Sequence, residues 1–326
     1  MWPSIVGLIL TLALSLFALL YATDAQQPVK VPLIGVLGDS AVQWQQSPFW
    51  QKLRELGWHE GYNIAFEGRY AEGKLDRLPD LAADLVRLRP DVIVTGGTLG
   101  VRAAQQATTT IPIVSSGTGM LVEQEIVASL AHPGGNITGV ETNRPELYGK
   151  RLELLKEAVP QIARVAFLSN PTSPFTHLLL PSLETDARAL GVQLQPVAVR
   201  HPDEFEAAFA AIVERRPDAL FIQDNILFNS YLQQIMDFAT THRLPTMSGE
   251  RRFAEAESLM AFGYSNRELA QRAAVYVDKI LQGARPGDLP IERPVKFELI
   301  INLKTAKTLG LTIPPSILFQ ADEVIQ

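Results

Sequence analysis

Short apolar runs alternate with amphipathic stretches along most of the 326-residue chain. Runs such as 31–37, 91–97 and 111–117 have the length and β-branched content of buried strands. Between them, apolar residues recur at three- and four-residue spacing, which is typical of helices that pack one face against a sheet. This alternation predicts parallel sheets with helices on both faces.

Residues that favour helix ends mark several boundaries. Ser47 and Pro48 are expected at the N-cap and first position of a helix that stops at Gly57. The stretch 265–268 predicts a capping box at the head of a long helix. Pro181 interrupts another helical stretch, where it either kinks the helix or marks its true start.

The pattern of strands and helices runs through the chain in two sets. The first set ends near residue 140, and the second begins with a helix at 150–160. No tandem sequence repeat relates the two sets, so the similarity is one of pattern. We therefore predict an α/β fold with two doubly wound lobes. The predicted boundaries are 28–141 plus about 265–290 for lobe 1, and 142–264 plus about 291–326 for lobe 2.

The first 25 residues differ from the rest of the chain. Residues 5–21 are almost wholly apolar, and small residues precede Gln26. This arrangement predicts a signal peptide over residues 1–25, cleaved after Ala25, and hence export to the periplasm. The alternative is an uncleaved membrane anchor, because a span of about 17 residues is at the lower limit for crossing a bilayer.

Composition and charge argue against several classes of protein. The chain has no cysteine, which removes disulfides and thiolate sites, and its five histidines show no metal-ligand spacing. We therefore expect no metal, no cofactor and no catalytic residues. The formal net charge of −6 provides no basic surface of the kind that binds nucleic acid. The expected partner is a small-molecule solute, and we expect a monomer.

Polar residues follow the predicted strands at their carboxyl ends, where doubly wound sheets bind ligands. Gly97 and Thr98 open a helix after a buried strand, so their N–H groups favour an anionic group such as a carboxylate. Asp224 ends a strand of the second set and could pair with a ligand ammonium group. The predicted ligand-binding residues are Ser40, Trp44, Gly97, Thr98, Ser115, Ser116, Thr142, Asn170, Thr172, Asp224, Asn225 and Tyr264.

These residues also have ordinary structural interpretations. Ser115 and Ser116 could form local turn hydrogen bonds, which serine does readily. Asp224 could cap the helix that follows it. Tyr264 could pack at a crossing between lobes, and Trp44 could stack on an apolar ligand or join the core. The sequence leaves both interpretations open at these positions.

Several blocks of the sequence resemble one family in order along the chain. They are ELGWHEGYNIAFEGRYAEGKLDRLPDLAADLVRLRPDVIVTGGT, TTIPIVSSG, VASLAHPGGNITGV, GKRLELLKEAVP and FELIINLKTAKTLGLTIPPSIL. Together they resemble the solute-binding components of a bacterial ABC transporter family with the type I periplasmic binding protein fold. The resemblance spans about 31–325. Two stretches depart from the family pattern, GDSAVQWQQSPF after the first strand and the variable Asp224-Asn225 loop, so the resemblance does not identify the ligand.

The resemblance implies two Rossmann-like lobes joined by a three-stranded hinge that close over a small solute. Characterised relatives are linked to aromatic amino-acid uptake. We therefore expect an exported binding component that delivers an amino acid or similar zwitterion to an ABC permease in the inner membrane, without catalysing a reaction.

Two other functions remain open from the sequence. The same fold could serve a periplasmic sensor that presents its ligand to a membrane histidine kinase. Gly38-Asp39-Ser40 resembles the nucleophile block of Gly-Asp-Ser serine hydrolases, which makes a hydrolase a remote alternative. The chain has neither the late Asp-x-x-His block that such a hydrolase needs nor a Gly-x-Ser-x-Gly elbow.

Overall fold

Two separate β-sheets organise the protein in the computed structural model, which describes residues 30–142 and 145–326. Pro32–Gln326 form one compact unit. The predicted signal peptide, residues 1–25, lies outside the described residues. Among the residues described, no helix is both long enough and apolar enough to cross a bilayer.

All strand pairs of the first sheet are parallel, in the order β2-β1-β3-β4-β5. Its strands are β1 (Leu33–Gly38), β2 (Ala65–Tyr70), β3 (Val92–Thr95), β4 (Ile113–Gly119) and β5 (Ile137–Thr142).

The second sheet has the order β12-β11-β10-β9-β8-β6-β7. Its strands are β6 (Arg164–Ser169), β7 (Gln193–Ala198), β8 (Ala219–Ile222), β9 (Thr246–Ser248), β10 (Met260–Tyr264), β11 (Phe297–Asn302) and β12 (Glu323–Ile325). The pairing of β10 with β11 is antiparallel, so the expectation of purely parallel sheets is wrong at this edge.

Helices connect the strands and cover the sheets, as the alternating pattern predicts. They are α1 (Ala41–Gln45), α2 (Pro48–Glu55), α3 (Leu78–Arg87), α4 (Gly97–Ala107), α5 (Pro145–Ala158), α6 (Pro174–Ala189), α7 (Phe205–Arg215), α8 (Ile226–Ser230), α9 (Leu232–Thr241), α10 (Arg251–Glu255), α11 (Asn266–Leu281), α12 (Leu303–Leu309) and α13 (Pro315–Gln320). Short 3₁₀ turns occur at Leu75–Arg77, Pro202–Glu204 and Pro286–Asp288.

Both faces of each sheet are buried. In β8, Leu220 and Ile222 join one apolar cluster, whereas Phe221 joins the cluster on the opposite face. In β3, Val94 and Ile93 divide in the same way. Successive side chains of a strand point to opposite faces, so continuous apolar runs mark strands covered on both sides. The predicted α/β fold of two doubly wound lobes is confirmed.

The helix-end predictions had mixed outcomes. Ser47 is the N-cap of α2, where its Oγ accepts a hydrogen bond from the N–H of Phe49 at 3.3 Å. The capping box before α11 is wrong, because Ser265 makes no side-chain cap and Glu268 accepts a hydrogen bond from Arg272 instead. Pro181 lies inside α6 and does not mark its start.

Within residues 30–326, as far as the structure describes them, the chain passes between the two sheets three times. It leaves the first sheet after β5 and returns after β10, because α11 packs against α2, β3, β4 and β5. It then re-enters the second sheet as β11, after Val140 and Glu292 form an isolated parallel bridge. The buried Glu141 carboxylate pairs with Arg293 at 2.6 Å beside this bridge.

Candidate functional site

The two sheets have the same strand order on both sides of the switch point, which is the place where the order of strands along the sheet reverses direction. The order β2-β1-β3-β4-β5 in the first sheet corresponds to β7-β6-β8-β9-β10 in the second. In doubly wound sheets, ligands bind beside the carboxyl ends of the strands at this switch point. The loops after β1, β3, β6 and β8 line one cavity of about 410 Å³. That volume is within the range of small-molecule sites, about 300–1,000 Å³.

The first-sheet wall of the cavity presents a helix N-terminus and hydroxyl groups. Gly96 is the N-cap of α4, so no side chain caps the first N–H groups of that helix, and Gly97 has a φ of +68° that suits glycine. The Oγ1 atoms of Thr98 and Thr118 lie 3.1 Å apart. Ser116 donates to the Thr95 carbonyl at 3.2 Å, which leaves its oxygen able to accept. This wall suits an anionic group.

Aromatic and aliphatic side chains form another part of the lining. Trp44 from α1 and Phe49 from α2 meet edge to face, with ring centroids 5.8 Å apart. Phe175 of α6 lines the cavity from the second-sheet side, and Leu269 and Ala273 line it from α11. This apolar region can accept the non-polar part of a ligand.

The loops after β6 and β8 carry amide side chains that organise their own backbone. Asn170 Oδ1 accepts hydrogen bonds from the N–H and the hydroxyl of Thr172, at 2.9 and 2.7 Å. Asn225 Oδ1 accepts from the N–H of Leu227 at 3.0 Å and thereby caps α8. Asn170, Thr172 and Asn225 all line the cavity, and their oxygens also stabilise the turns that hold them there.

Asp224 lies on the cavity wall in a buried ion pair. Its Oδ2 is 2.8 Å from Nη2 of Arg151, and the two side chains are 12% and 1% exposed. Its Oδ1 accepts a hydrogen bond from the N–H of Gly249 at 3.0 Å. Its own N–H donates to the hydroxyl of Tyr148 at 3.1 Å. The protein itself therefore holds this carboxylate in place with a cation and a backbone N–H.

Burial and the charges of neighbouring groups together set the pKa values of this cluster. Burial raises the pKa of Asp224, the Arg151 guanidinium opposes that rise, and the nearby Glu250 carboxylate adds to it. Burial also raises the pKa of Tyr148 far above its ordinary value, so its hydroxyl stays neutral. Burial alone would lower the pKa of Arg151, but the Asp224 carboxylate raises it and keeps the guanidinium charged.

Two further side chains line the cavity at crossings between the sheets. Thr142 ends β5 and is almost fully buried, and its methyl group would contact a Cβ placed on Gly117. Tyr264 ends β10, and its ring lies 5.0 Å from that of Phe297. Both residues therefore combine a place on the cavity wall with packing at a crossing.

A hydrogen bond joins the two sides of the cavity. Ser230 at the end of α8 donates to Oδ2 of Asp39, which follows β1, at 2.6 Å. Asp39 Oδ1 accepts from the N–H of Gly73 at 2.8 Å, which fixes the carboxylate. Leu75 packs against apolar clusters of both sheets. These contacts hold the two sets of loops together over the cavity.

Ten of the twelve predicted ligand-binding residues line the cavity, and Ser40 and Ser115 do not. Ser115 is fully buried, and its hydroxyl donates to the Val140 carbonyl at 3.2 Å. Ser40 is the N-cap of α1 without a side-chain cap. Neither side chain belongs to the lining, so the geometry gives no support to a ligand contact at these two positions.

Sequence reasoning missed several polar groups of the site. Glu250 and Arg252 form an ion pair of 2.9 Å on the cavity wall, and Asn229 donates to Glu250 at 2.6 Å. Arg151 lies directly behind Asp224. It occupies the buried face of α5, three residues after Tyr148, so a charged residue at apolar spacing was the signal that could have found it.

In residues 30–142 and 145–326, no cluster of His, Asp and Glu could hold a metal ion.

The paired doubly wound sheets, with both switch points at one cavity, define a ligand-binding protein of the type I periplasmic binding protein class. The chain belongs to the family described as ABC transporter substrate binding protein, whose sequence model matches residues 30–325. This finding confirms the resemblance inferred from the sequence blocks.

Individual relatives agree with this assignment. A tyrosine-binding protein of Clostridioides difficile is 24% identical over 89% of this chain and 83% of its own length. A conserved domain protein of Vibrio cholerae is 26% identical, with a TM-score of 0.84 over 90% of this chain and 100% of its own. An ABC domain from Streptococcus pneumonia in complex with L-Trp is 22% identical, with a TM-score of 0.84 over 90% of this chain and 99% of its own.

Proposed function

We propose that this protein is the exported binding component of an ABC importer and that it delivers an amino acid, or a similar zwitterion, to a membrane permease. The observation that carries the proposal is that the cavity offers a partner for each charge of a zwitterion. Asp224 places a carboxylate on the second-sheet wall, whereas the first-sheet wall has the α4 N-terminus and the hydroxyls of Thr98 and Ser116. A zwitterion satisfies both walls at once.

The charges around the cavity favour a ligand with an ammonium group. The lining carries the carboxylates of Asp39, Asp224 and Glu250 and the guanidinium of Arg252. Arg151 adds one positive charge directly behind Asp224. The cluster therefore retains one formal negative charge, which a singly charged ammonium group would neutralise.

The apolar region favours an aromatic side chain on the ligand. Trp44, Phe49 and Phe175 line the cavity, and aromatic rings pack well edge to face or offset against one another. The names of two relatives, a tyrosine-binding protein and a structure in complex with L-Trp, support this choice of ligand class. We propose L-tyrosine and L-tryptophan as the first solutes to test.

We propose that binding closes two lobes about the three crossing segments. The lobes would be 28–141 plus about 265–290 and 142–264 plus about 291–326. A ligand that contacts both lobes shifts the population towards the closed state. The hydrogen bond from Ser230 to Asp39 supports closure, because it joins loops of the two sheets across the cavity.

A thermal-shift screen of the purified protein with amino acids, aromatic acids, sugars and nucleosides tests the proposal. A ligand present at 100 times its Kd stabilises by about 2.7 kcal/mol, which raises Tm measurably. We expect L-tyrosine or L-tryptophan to stabilise the wild type and Asp224→Ala to lose about thirtyfold or more in affinity, since breaking a buried charge pair costs roughly 2–5 kcal/mol.

Asp218→Ala is the matched control, because it removes a carboxylate from the other end of β8. Stabilisation by sugars or nucleosides alone would contradict the zwitterion proposal. Full affinity in Asp224→Ala would remove Asp224 from the ligand contacts.

A further inference from the structure

We propose that Arg151 is a positioning residue for ligand binding, which fixes the Asp224 carboxylate on the cavity wall in its ionised form. The inference rests on the proposed function in one respect, namely that Asp224 receives the ligand's ammonium group. Arg151 does not line the cavity, so it would act only through Asp224.

Three contacts fix the Arg151 side chain in one place. Its Nε donates to the Phe262 carbonyl at 2.6 Å, and its Nη2 lies 2.8 Å from Asp224 Oδ2. Its guanidinium carbon lies 4.5 Å from the centre of the Tyr148 ring. A side chain held by a strand carbonyl, a carboxylate and an aromatic face has little freedom, so Asp224 is held with it.

Stability alone does not explain an arginine at this position. Arg151 is fully buried, and its Nη1 makes no hydrogen bond. A buried donor without a partner costs about 1–3 kcal/mol. Replacing a buried ion pair by apolar residues of similar size is often neutral or stabilising. The charge of Arg151 is therefore better explained by what it does to Asp224.

The groups around Asp224 show why it needs a cation. Arg151 and Tyr148 face it from α5, and Glu250, paired with Arg252, faces it from the segment that leads into α10. Tyr148 is neutral, and Glu250 disfavours a second negative charge nearby. Without Arg151, burial and Glu250 would raise the pKa of the Asp224 carboxyl group further and favour its protonated form. A protonated carboxyl group cannot form an ion pair with an ammonium group.

Asp224 retains acceptor positions for a ligand. A carboxylate has about four lone-pair positions. Oδ1 accepts from the N–H of Gly249, and Oδ2 accepts from Arg151. A Cβ on Gly249 would overlap both carboxylate oxygens and Arg151 Nη2, so the absence of a side chain there keeps the pair intact.

The experiment follows the Asp224 carboxyl group by ¹³C NMR in full-length protein labelled at aspartate, with Asp224→Asn to assign the signal. We expect Arg151→Met to raise the titration midpoint of Asp224 by about 1–3 pH units relative to the wild type. Arg151→Lys keeps the charge and should shift the midpoint less. Arg164→Met, which alters the ion pair at the other end of the sheet, should leave it unchanged.

Milder substitutions keep the test valid if Arg151→Met does not fold. Glu250→Gln removes a like charge beside Asp224 and should lower the titration midpoint, whereas Arg151→Lys should raise it slightly. Arg151→Gln removes the charge but keeps a polar side chain, so an Asp224 midpoint equal to the wild-type value in this variant would overturn the proposal. So would an unchanged midpoint in a folded Arg151→Met protein.

Binding of L-tyrosine provides the second readout. In Arg151→Met, lowering the pH from about 7 to about 5 should weaken binding more than in the wild type, because loss of the cation raises the pKa of Asp224 further. A loss that is equal at both pH values would indicate a merely structural role and would overturn the proposal. Absence of L-tyrosine binding by the wild type would count against the proposed ligand, while the NMR titration would still decide the role of Arg151.

Discussion

The two ends of β8 carry the same chemistry in opposite surroundings. At its amino end, Asp218 pairs with Arg164 at 3.2 Å, and their side chains are 31% and 43% exposed. At its carboxyl end, Asp224 pairs with Arg151 at 2.8 Å, with 12% and 1% exposed. Each carboxylate also accepts backbone N–H bonds from neighbouring segments. One pair faces solvent, and the other borders the cavity.

The difference shows that burial changes how an Asp–Arg pair behaves, even where the partner is the same type of residue. Burial raises the pKa of Asp224 despite Arg151. At Asp218 burial also acts to raise the pKa, but the N–H groups of Ala163 and Arg164 together with the Arg164 guanidinium outweigh it and lower the pKa overall. The exposed pair is thus a stabilising contact in which the carboxylate stays ionised. The buried pair keeps its charges at a cost in free energy, because both groups are removed from water.

Replacement of the two arginines should reveal the largest difference. Arg151→Met leaves a buried carboxylate without its cation and should lower the free energy of unfolding by about 3–5 kcal/mol. Arg164→Met should cost about 0–1 kcal/mol, because solvent screens an exposed pair. Urea unfolding near neutral pH measures both values. Equal losses would mean that burial does not distinguish the two ends of β8.

A change beside the buried pair should have the next largest effect. Gly249→Ala places a methyl group against Arg151 and Asp224 and should cost about 1–3 kcal/mol of stability, as overpacking does. It should also weaken solute binding, because Asp224 must move. Gly135→Ala is the control, since its Cβ would meet no atom within 4 Å. Tolerance of both changes in unfolding and binding assays would show that the Asp224 pair is not tightly fitted.

The strands and the residues that follow them could be predicted from the sequence, but the role of Arg151 could not. Strands buried on both faces are visible as apolar runs, and residues that follow them fall at one edge of each sheet. Successive side chains of a strand, however, point in opposite directions, which the apolar run does not reveal. Ser116 lines the cavity and Ser115 is buried, although both follow the same apolar run. Arg151 lies within helix α5 and not at the end of a strand, so only the packing of α5 places it behind Asp224.

The capping box predicted at 265–268 does not form because another side chain of the same helix competes for Glu268. Ser265 and Glu268 have the spacing of reciprocal caps, but Arg272 lies one turn further along the same helix. A charged partner at i+4 competes with a backbone N–H for the Glu268 carboxylate. Local spacing therefore identified the start of the helix and misjudged its hydrogen bonds.

The contact across the cavity should contribute less than either change beside the ion pair. Ser230→Ala removes the hydrogen bond to Asp39 and should weaken solute binding by about 0.5–1.5 kcal/mol, roughly two- to tenfold. Ser129→Ala is the control, because its hydroxyl bonds locally to the His132 backbone. Calorimetric titration measures the difference. Equal Kd values for Ser230→Ala and the wild type would show that this bond does not favour the closed state.

The smallest expected effect concerns the pH dependence of the exposed pair. The pKa of Asp218 is lower in the folded protein, so its carboxylate stabilises the fold above the unfolded value of about 3.9 and loses that effect as the pH falls below it. Asp218→Asn should therefore cost up to about 1 kcal/mol near neutral pH and less below about pH 4. Asp224 has a raised pKa, so the cost of its charge is relieved as the pH falls, and its contribution has the opposite sign.

Urea unfolding of Asp218→Asn in the wild-type and Arg164→Met backgrounds measures the effect. If the two N–H donors lower the pKa, much of the pH dependence should persist without Arg164; its complete loss would assign the pKa to the arginine instead.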